Sequence, residues 1–437
     1  MTQADLIIKN GRIIDPANNI DFTGSVAVLN GTIQSVGTDL NIQAAREFDA
    51  TGCIITPGLI DCHVHCYEHA TPLGINPDES CLSRGVTTVV DAGSSGESTF
   101  PGLRKFIAEK SNTRVLCFLH IVQHGLASSG CASGAPGGEL DSLNQVSVEA
   151  CVKCIEANRD MIVGVKVRLS ETIANGGKNE EEAYRRSLEA SKQAGVPLMV
   201  HHSLSTVPTQ SDGKSSTLCC PKDMRTGDIY THTFHAHEGT ILDEKTDTIY
   251  PDVLDASKRG VLFDVGHGQG SFSWKVVEIC AKANFWPDII GTDLHTGNND
   301  GPVYDLPLVM SKFLHTGMPL VDIVKATTYT PARAIKWSNS IGSLTVGKTA
   351  DITVLKIVAV DIDLEDSQSQ LRKISKLIKP VAVWKAGRRF DITNPKHFPN
   401  LYARANNAPE WHKLVIRDEI PPNELIPSCD LVEIPPV

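Results

Sequence analysis

Two histidines one residue apart, His63 and His65, close the apolar run Leu59-Ile-Asp-Cys-His-Val-His. Side chains on a strand alternate between faces, so both rings project the same way and can aim at one metal ion. On a helix the same spacing would splay them by about 200°. A second oddity is Lys166, set in Ile162-Val-Gly-Val-Lys-Val-Arg. A lone ammonium buried in such a run must be paired or neutralised. His201 and His202 follow Val196-Pro-Leu-Met-Val, His232 falls late in 228–234, and Asp293 ends Asp288-Ile-Ile-Gly-Thr-Asp. Arg168, two residues beyond Lys166, shares its face and suits either a substrate carboxylate, held in bidentate fashion, or a loop acid. His267, flanked by Gly266 and Gly268, is a candidate substrate contact because glycines let backbone approach a ligand. Each residue alone reads equally well as a polar cap on a loop, and a histidine pair in a chain holding 15 can be coincidence. Their conjunction along one chain is much harder to put down to coincidence than any one of them.

The elements that must position them alternate strand with helix. After a turn at Thr56-Pro-Gly, strand-like runs occur at 60–65, 85–91, 115–122, 161–168, 196–202, 228–234, 260–265 and 288–293. Helical patterns lie between many of them, as at 180–195, where Gly195 suits a helix C-cap. Eight strands over roughly 240 residues predict an α/β fold, a (β/α)8 TIM barrel, with chemistry at the C-terminal strand ends. The open doubly wound sheet is the alternative. His63 and His65 close the first strand, His201 and His202 end the fifth, His232 lies late in the sixth, Asp293 ends the eighth, Lys166 lies inside the fourth, and His267 follows the seventh.

The flanks have a different texture. Asn10-Gly11 and Asn30-Gly31 each sit between apolar runs, a hairpin signal, and 342–355 and 380–387 resemble them. The expected organisation is a small β-sandwich domain built from both chain ends, 1–56 plus 342–394, with the barrel at 57–341 inserted between. A helix pair is expected at 319–337. Residues 395–437 form a proline-rich C-terminal extension, read as a surface tail that could pack on a neighbouring subunit in a homo-oligomer. The Gly- and Ser-rich stretch 125–140 is read as a loop over the barrel mouth.

Composition excludes some classes. A net charge of −10 argues against nucleic acid or an anionic membrane as an obligatory partner. No apolar run reaches transmembrane length and the N-terminus lacks a secretory pattern, so a cytoplasmic protein is expected. The 12 cysteines are scattered, and Cys151-x-x-Cys154 has no second pair to complete a zinc knuckle.

The front motif Pro57-Gly-Leu-Ile-Asp-Cys-His-Val-His, the late Gly291-Thr-Asp-Leu-His and the closing Gly347-Lys-Thr-Ala-Asp-Ile-Thr-Val resemble the amidohydrolase superfamily of metal-dependent hydrolases. The resemblance spans essentially residues 5–390. It implies that His63, His65 and Asp293 bind one metal, that His201 and His232 bind a second, and that Lys166, carboxylated by carbon dioxide, bridges them. The implied cofactors are two divalent ions, Zn2+ first among them, sharing a water whose hydroxide form attacks an amide or ester carbonyl. Asp293 is then the catalytic residue that moves the proton. His202 is expected to face away and Asp61 to support the histidine pair. The segments around Lys166, His267 and Asp293 look most like deacetylases of N-acyl amino acids or acetylated α-hydroxy acids, hence small carboxylate-bearing substrates. Cyclic-amide hydrolases of the dihydroorotase or hydantoinase type are the alternative, and a non-catalytic scaffold relative the remote one.

Overall fold

The computed structural model describes residues 2–127, 137–214, 216–396, 398 and 414–418. Most of the expected mouth loop and C-terminal extension therefore lies outside the described residues.

Seven regular strands, Leu59–Val64, Val86–Ala92, Arg114–His120, Ile162–Leu169, Leu198–His202, Ile229–Thr231 and Leu262–Asp264, pair in parallel and in chain order. They are apolar on both faces because helices cover the outside while side-chain layers fill the inside. All residues of the first two are buried. The eighth position differs from the regular strand expected at 288–293. There the chain makes single parallel bridges, Asp264 with Ile289 and Val64 with Leu294, and these close the sheet into a barrel. The backbone cannot continue a ladder because Asp293 takes a left-handed conformation, with φ of 52°.

Helices fill the crossovers. Glu180–Ala194 follows the fourth strand; three glutamates open it against the positive end of its dipole, and Gly195, at φ 65°, ends it. Val148–Ala157 carries the Cys-x-x-Cys pair on its inner side, and Leu320–Ala326 with Tyr329–Ala334 make the expected helix pair. No helix among the described residues is long and apolar enough to cross a membrane.

A separate mixed sheet draws on both flanks. Its central strand, Ile54–Pro57, pairs antiparallel with Ile352–Leu355 and parallel with Arg12 and Ile13. Asn30-Gly31 does join two strands, Ile20–Leu29 and Thr32–Gly37. Asn10-Gly11 does not turn the chain: Leu6–Asp15 runs through it as one strand, with a register shift between Ile8 and Gly11 and φ 65° at Asn10. It is a bulge. The reversal comes later, at Pro16–Asn18, where the Asp15 carboxylate accepts from Ala17 N–H.

One long hairpin, Ile352–Glu365 with Leu371–Lys385, starts in this sheet and ends on the barrel. Trp274 Nε1–H donates to Leu364 O, Trp274 N–H to the Asp366 carboxylate, and Ser367 N–H to Phe272 O. The polar tip, Glu365 to Gln370, is buried against the loop that follows the seventh strand.

Candidate metal centre

At the C-terminal ends of the strands lies a cavity of about 640 Å³, lined in part by His65, Lys166, His201, His232 and Asp293. One ligand atom each from His63, His232 and Asp293 lies within 4.8 Å of the others, a buried group that can hold a metal ion. His65 adds its Nε2 at 3.0 Å from Asp293 Oδ1, and His63 Nε2 stands 3.4 Å from the same oxygen. The His201 and His232 rings sit 4.0 Å apart between centroids. Lys166 Nζ lies 3.5 Å from His63 Nε2. The donors on strands one, four, five, six and eight thus meet in one place.

The far nitrogens of the rings are held by the scaffold. His63 Nδ1 meets Asp264 Oδ2 at 3.0 Å and Thr231 Oγ1 at 2.9 Å, and the Thr231 hydroxyl donates to the same carboxylate oxygen at 2.6 Å. His65 Nδ1 meets Ser94 Oγ at 2.9 Å. His232 Nδ1–H donates to Gly266 O at 2.7 Å. With Nδ1 engaged behind, each Nε2 is turned toward the centre, the arrangement by which proteins fix the tautomer of a metal-bound histidine.

His232 reaches the centre by a backbone device. Thr231 points inward to His63, and Tyr230 points outward to His202 and Phe263. Alternation would send His232 outward with Tyr230. A φ of 68° at His232 turns it back. Left-handed backbone at a non-glycine residue is disfavoured and gathers at functional sites.

Charge states suit the same role. Burial pushes the His63 and His201 imidazoles well below their ordinary range and His232 to about 4, which keeps their lone pairs available. Burial works against the Asp293 carboxylate, but the facing His63 and His65 outweigh it and hold it well below the usual range. Burial lowers the Lys166 ammonium from 10.5 to about 8. Three neutral imidazoles, an ionised carboxylate and an easily deprotonated amine form a donor set that fits a divalent cation.

The other expected residues are placed as follows. Arg168 borders the cavity and is gripped in bidentate fashion by Glu139, at 2.5 and 2.8 Å. His267, expected to touch substrate, is instead turned into the wall: it is fully buried, with Nδ1 2.9 Å from Gly268 O and Nε2 2.7 Å from Lys312 Nζ. His202 faces outward to Tyr230 and Val207 O. Asp61 accepts from His63 N–H at 3.3 Å as well as from Thr292 N–H and hydroxyl, so it braces the backbone of the histidine pair and of the eighth position together. Asp264 and His120 were not singled out from the sequence. Their places near the ends of the seventh and third strands are the one local signal that marks them.

Comparison with known proteins agrees with this geometry. The family model described as "Amidohydrolase family" matches residues 271–390. A deacetylase of Brucella anthropi is 35% identical over 352 residues, spanning 80% of this chain and 83% of that protein. The chain belongs to the amidohydrolase superfamily. Among solved structures, one described as an adenine deaminase superposes with a TM-score of 0.79 at 30% identity, covering 89% of this chain and all of that one. Another, described as a dihydroorotase, gives 0.78 at 30% identity, covering 90% and 99%. The amidohydrolase centre described above is that of a metal-dependent hydrolase acting on an amide- or ester-like bond.

Proposed function

We propose that this amidohydrolase is a binuclear deacetylase that releases the acyl group of N-acyl amino acids or acetylated α-hydroxy acids. The observation that carries the reading is the convergence of His63, His65, Lys166, His201, His232 and Asp293 on one cavity whose wall holds the Arg168 guanidinium. Likeness to a deacetylase over most of both chains supports the choice of bond.

His63, His65 and Asp293 would hold one ion, His201 and His232 the other, and Lys166 would bridge them once its amine has added to carbon dioxide. That addition needs the neutral amine, which a pKa of about 8 makes accessible near neutral pH. The carbamate, formed with release of one proton, would replace a buried cation with a single negative charge shared by two oxygens. Zinc suits a nitrogen and oxygen donor set. Such ions, when bound, lower the pKa of a shared water and polarise the acyl carbonyl. Asp293, ionised and beside both first-strand histidines, accepts the proton that the attacking water gives up. It then returns that proton to the departing amine or alkoxide. Arg168, fixed by Glu139, orients a substrate carboxylate at the wall.

The test is a substrate panel with zinc-loaded enzyme. Acetylated amino and hydroxy acids are expected to turn over, and dihydroorotate, hydantoin and adenine are not. Turnover of dihydroorotate or hydantoin alone would favour a cyclic-amide hydrolase, the reading that the dihydroorotase likeness supports. Elemental analysis is expected to find two ions per chain. Lys166→Ala should lose metal and activity, with partial recovery in short carboxylic acids.

A further inference from the structure

His120 ends the third barrel strand and pairs across the sheet with Lys166, so in a parallel ladder both side chains face the barrel interior. It borders the cavity on the side of Arg168, and is 1% exposed. The ring is tightly placed. A Cβ built on Gly93 would meet Lys166 Cγ at 2.7 Å and His120 Cδ2 at 3.1 Å, so this glycine, at φ 90°, is what lets the two side chains lie together. The backbone is pinned on both sides: His120 N–H donates to Ser95 O, and Ile121 N–H to Lys166 O, each at 2.9 Å.

The tautomer follows from geometry. Val122 N–H donates to His120 Nδ1 at 3.1 Å, and a backbone amide can only donate. Nδ1 is therefore the acceptor and Nε2 carries the hydrogen. That Nε2–H is buried and meets no acceptor among the described residues. The nearby carboxylate, Glu139, gives both oxygens to Arg168. Buried N–H groups are nearly always satisfied in folded proteins, so one left open beside a reaction cavity marks a place where something else accepts.

We propose that His120 binds substrate, its Nε2–H donating to a substrate oxygen that carries or gains negative charge. That oxygen is either the scissile carbonyl or the substrate's own carboxylate. The donor is already aimed and desolvated before substrate arrives, so it needs no reorganisation as charge develops. The choice of substrate rests on the deacetylase reading; the donor itself does not.

Two variants separate the donor from the fold. His120→Asn keeps an oxygen where Nδ1 now accepts from Val122 and removes the donor, whereas His120→Gln places an N–H near the Nε2 position. With the zinc-loaded enzyme, His120→Asn is expected to lose on the order of 100-fold in kcat/KM, with His120→Gln recovering much of it. A loss in kcat alone assigns the scissile carbonyl. A rise in KM that vanishes for an acetyl ester lacking a carboxylate assigns the carboxylate. Wild-type kcat and KM in His120→Asn, or a loss that follows metal content by atomic absorption, would overturn the proposal. If the wild type turns over no acetylated acid, the deacetylase reading fails, and calorimetry of acetate binding to the zinc-loaded protein decides for His120. Binding weakened roughly tenfold in His120→Asn supports the donor, and equal binding overturns it.

Discussion

Asp264 grips His63 from behind while also accepting from Thr231 and from Gly291 N–H at 2.9 Å, so one carboxylate sets the ring, the sixth strand and the eighth. Removing its charge while keeping its shape leaves His63 less basic and less firmly aimed. Asp264→Asn is expected to weaken metal binding about 10- to 100-fold, measured by competition with a chromogenic chelator, with little change in the circular dichroism spectrum. At this scale the sequence is most informative where geometry is local. His63 and His65 are readable because two residues on a strand share a face, and Lys166 because an ammonium in an apolar run needs a reason. His232 is not readable that way, since alternation points it outward and only the turn at φ 68° brings it in. The partners of Arg168 and His267 come from 29 and 45 residues away, at Glu139 and Lys312, separations that no local pattern encodes.

Among the elements, the hairpin formed by Ile352–Glu365 and Leu371–Lys385 is held at its tip by Lys312, whose Nζ reaches Glu365 O, Pro302 O and His267 Nε2. Burial lowers this ammonium from 10.5 to about 8. Between those values the unfolded chain keeps a proton that the folded chain has lost, so stability rises with pH across that window, and the contribution is lost as pH falls through about 8. Lys312→Met is expected to flatten the slope there, by at most about 1.4 kcal/mol per pH unit. Urea unfolding at several pH values between 8 and 10.5 would read it; an unchanged slope would exclude Lys312 as its source. Strand and helix patterns were legible because burial on both faces leaves a short unbroken apolar run, and burial on one stripe leaves a periodic one. The eighth barrel position and the Asn10-Gly11 bulge were not. In each, a left-handed residue interrupts a ladder, and composition alone does not separate an interruption from a strand or a turn.

For the molecule as a whole, barrel and mixed sheet share one apolar core, which takes in Ile14, Ile54, Leu355 and Leu377, and a buried polar link crosses between them. Arg114, on the third barrel strand, places Nη1 2.5 Å from Asp351 Oδ2 and 2.9 Å from Thr88 Oγ1, while Asp351 Oδ1 accepts from Ala386 N–H at 2.8 Å. Asp351→Ala would leave a largely buried guanidinium without its counter-ion, at a loss of about 3 kcal/mol, seen as a lower urea midpoint with the metal-binding residues untouched. The nested fold class was visible in the return of hairpin texture after the helix pair; the polar link was not, because its contacts join residues more than 200 positions apart. The central strand of the mixed sheet, Ile54–Pro57, is made early, yet its antiparallel neighbour Ile352–Leu355 and the strand beyond it leave the ribosome some 300 residues later. Throughout synthesis the nascent chain carries an apolar strand edge that only its own last third can cover, an edge open to wrong pairing until that segment arrives.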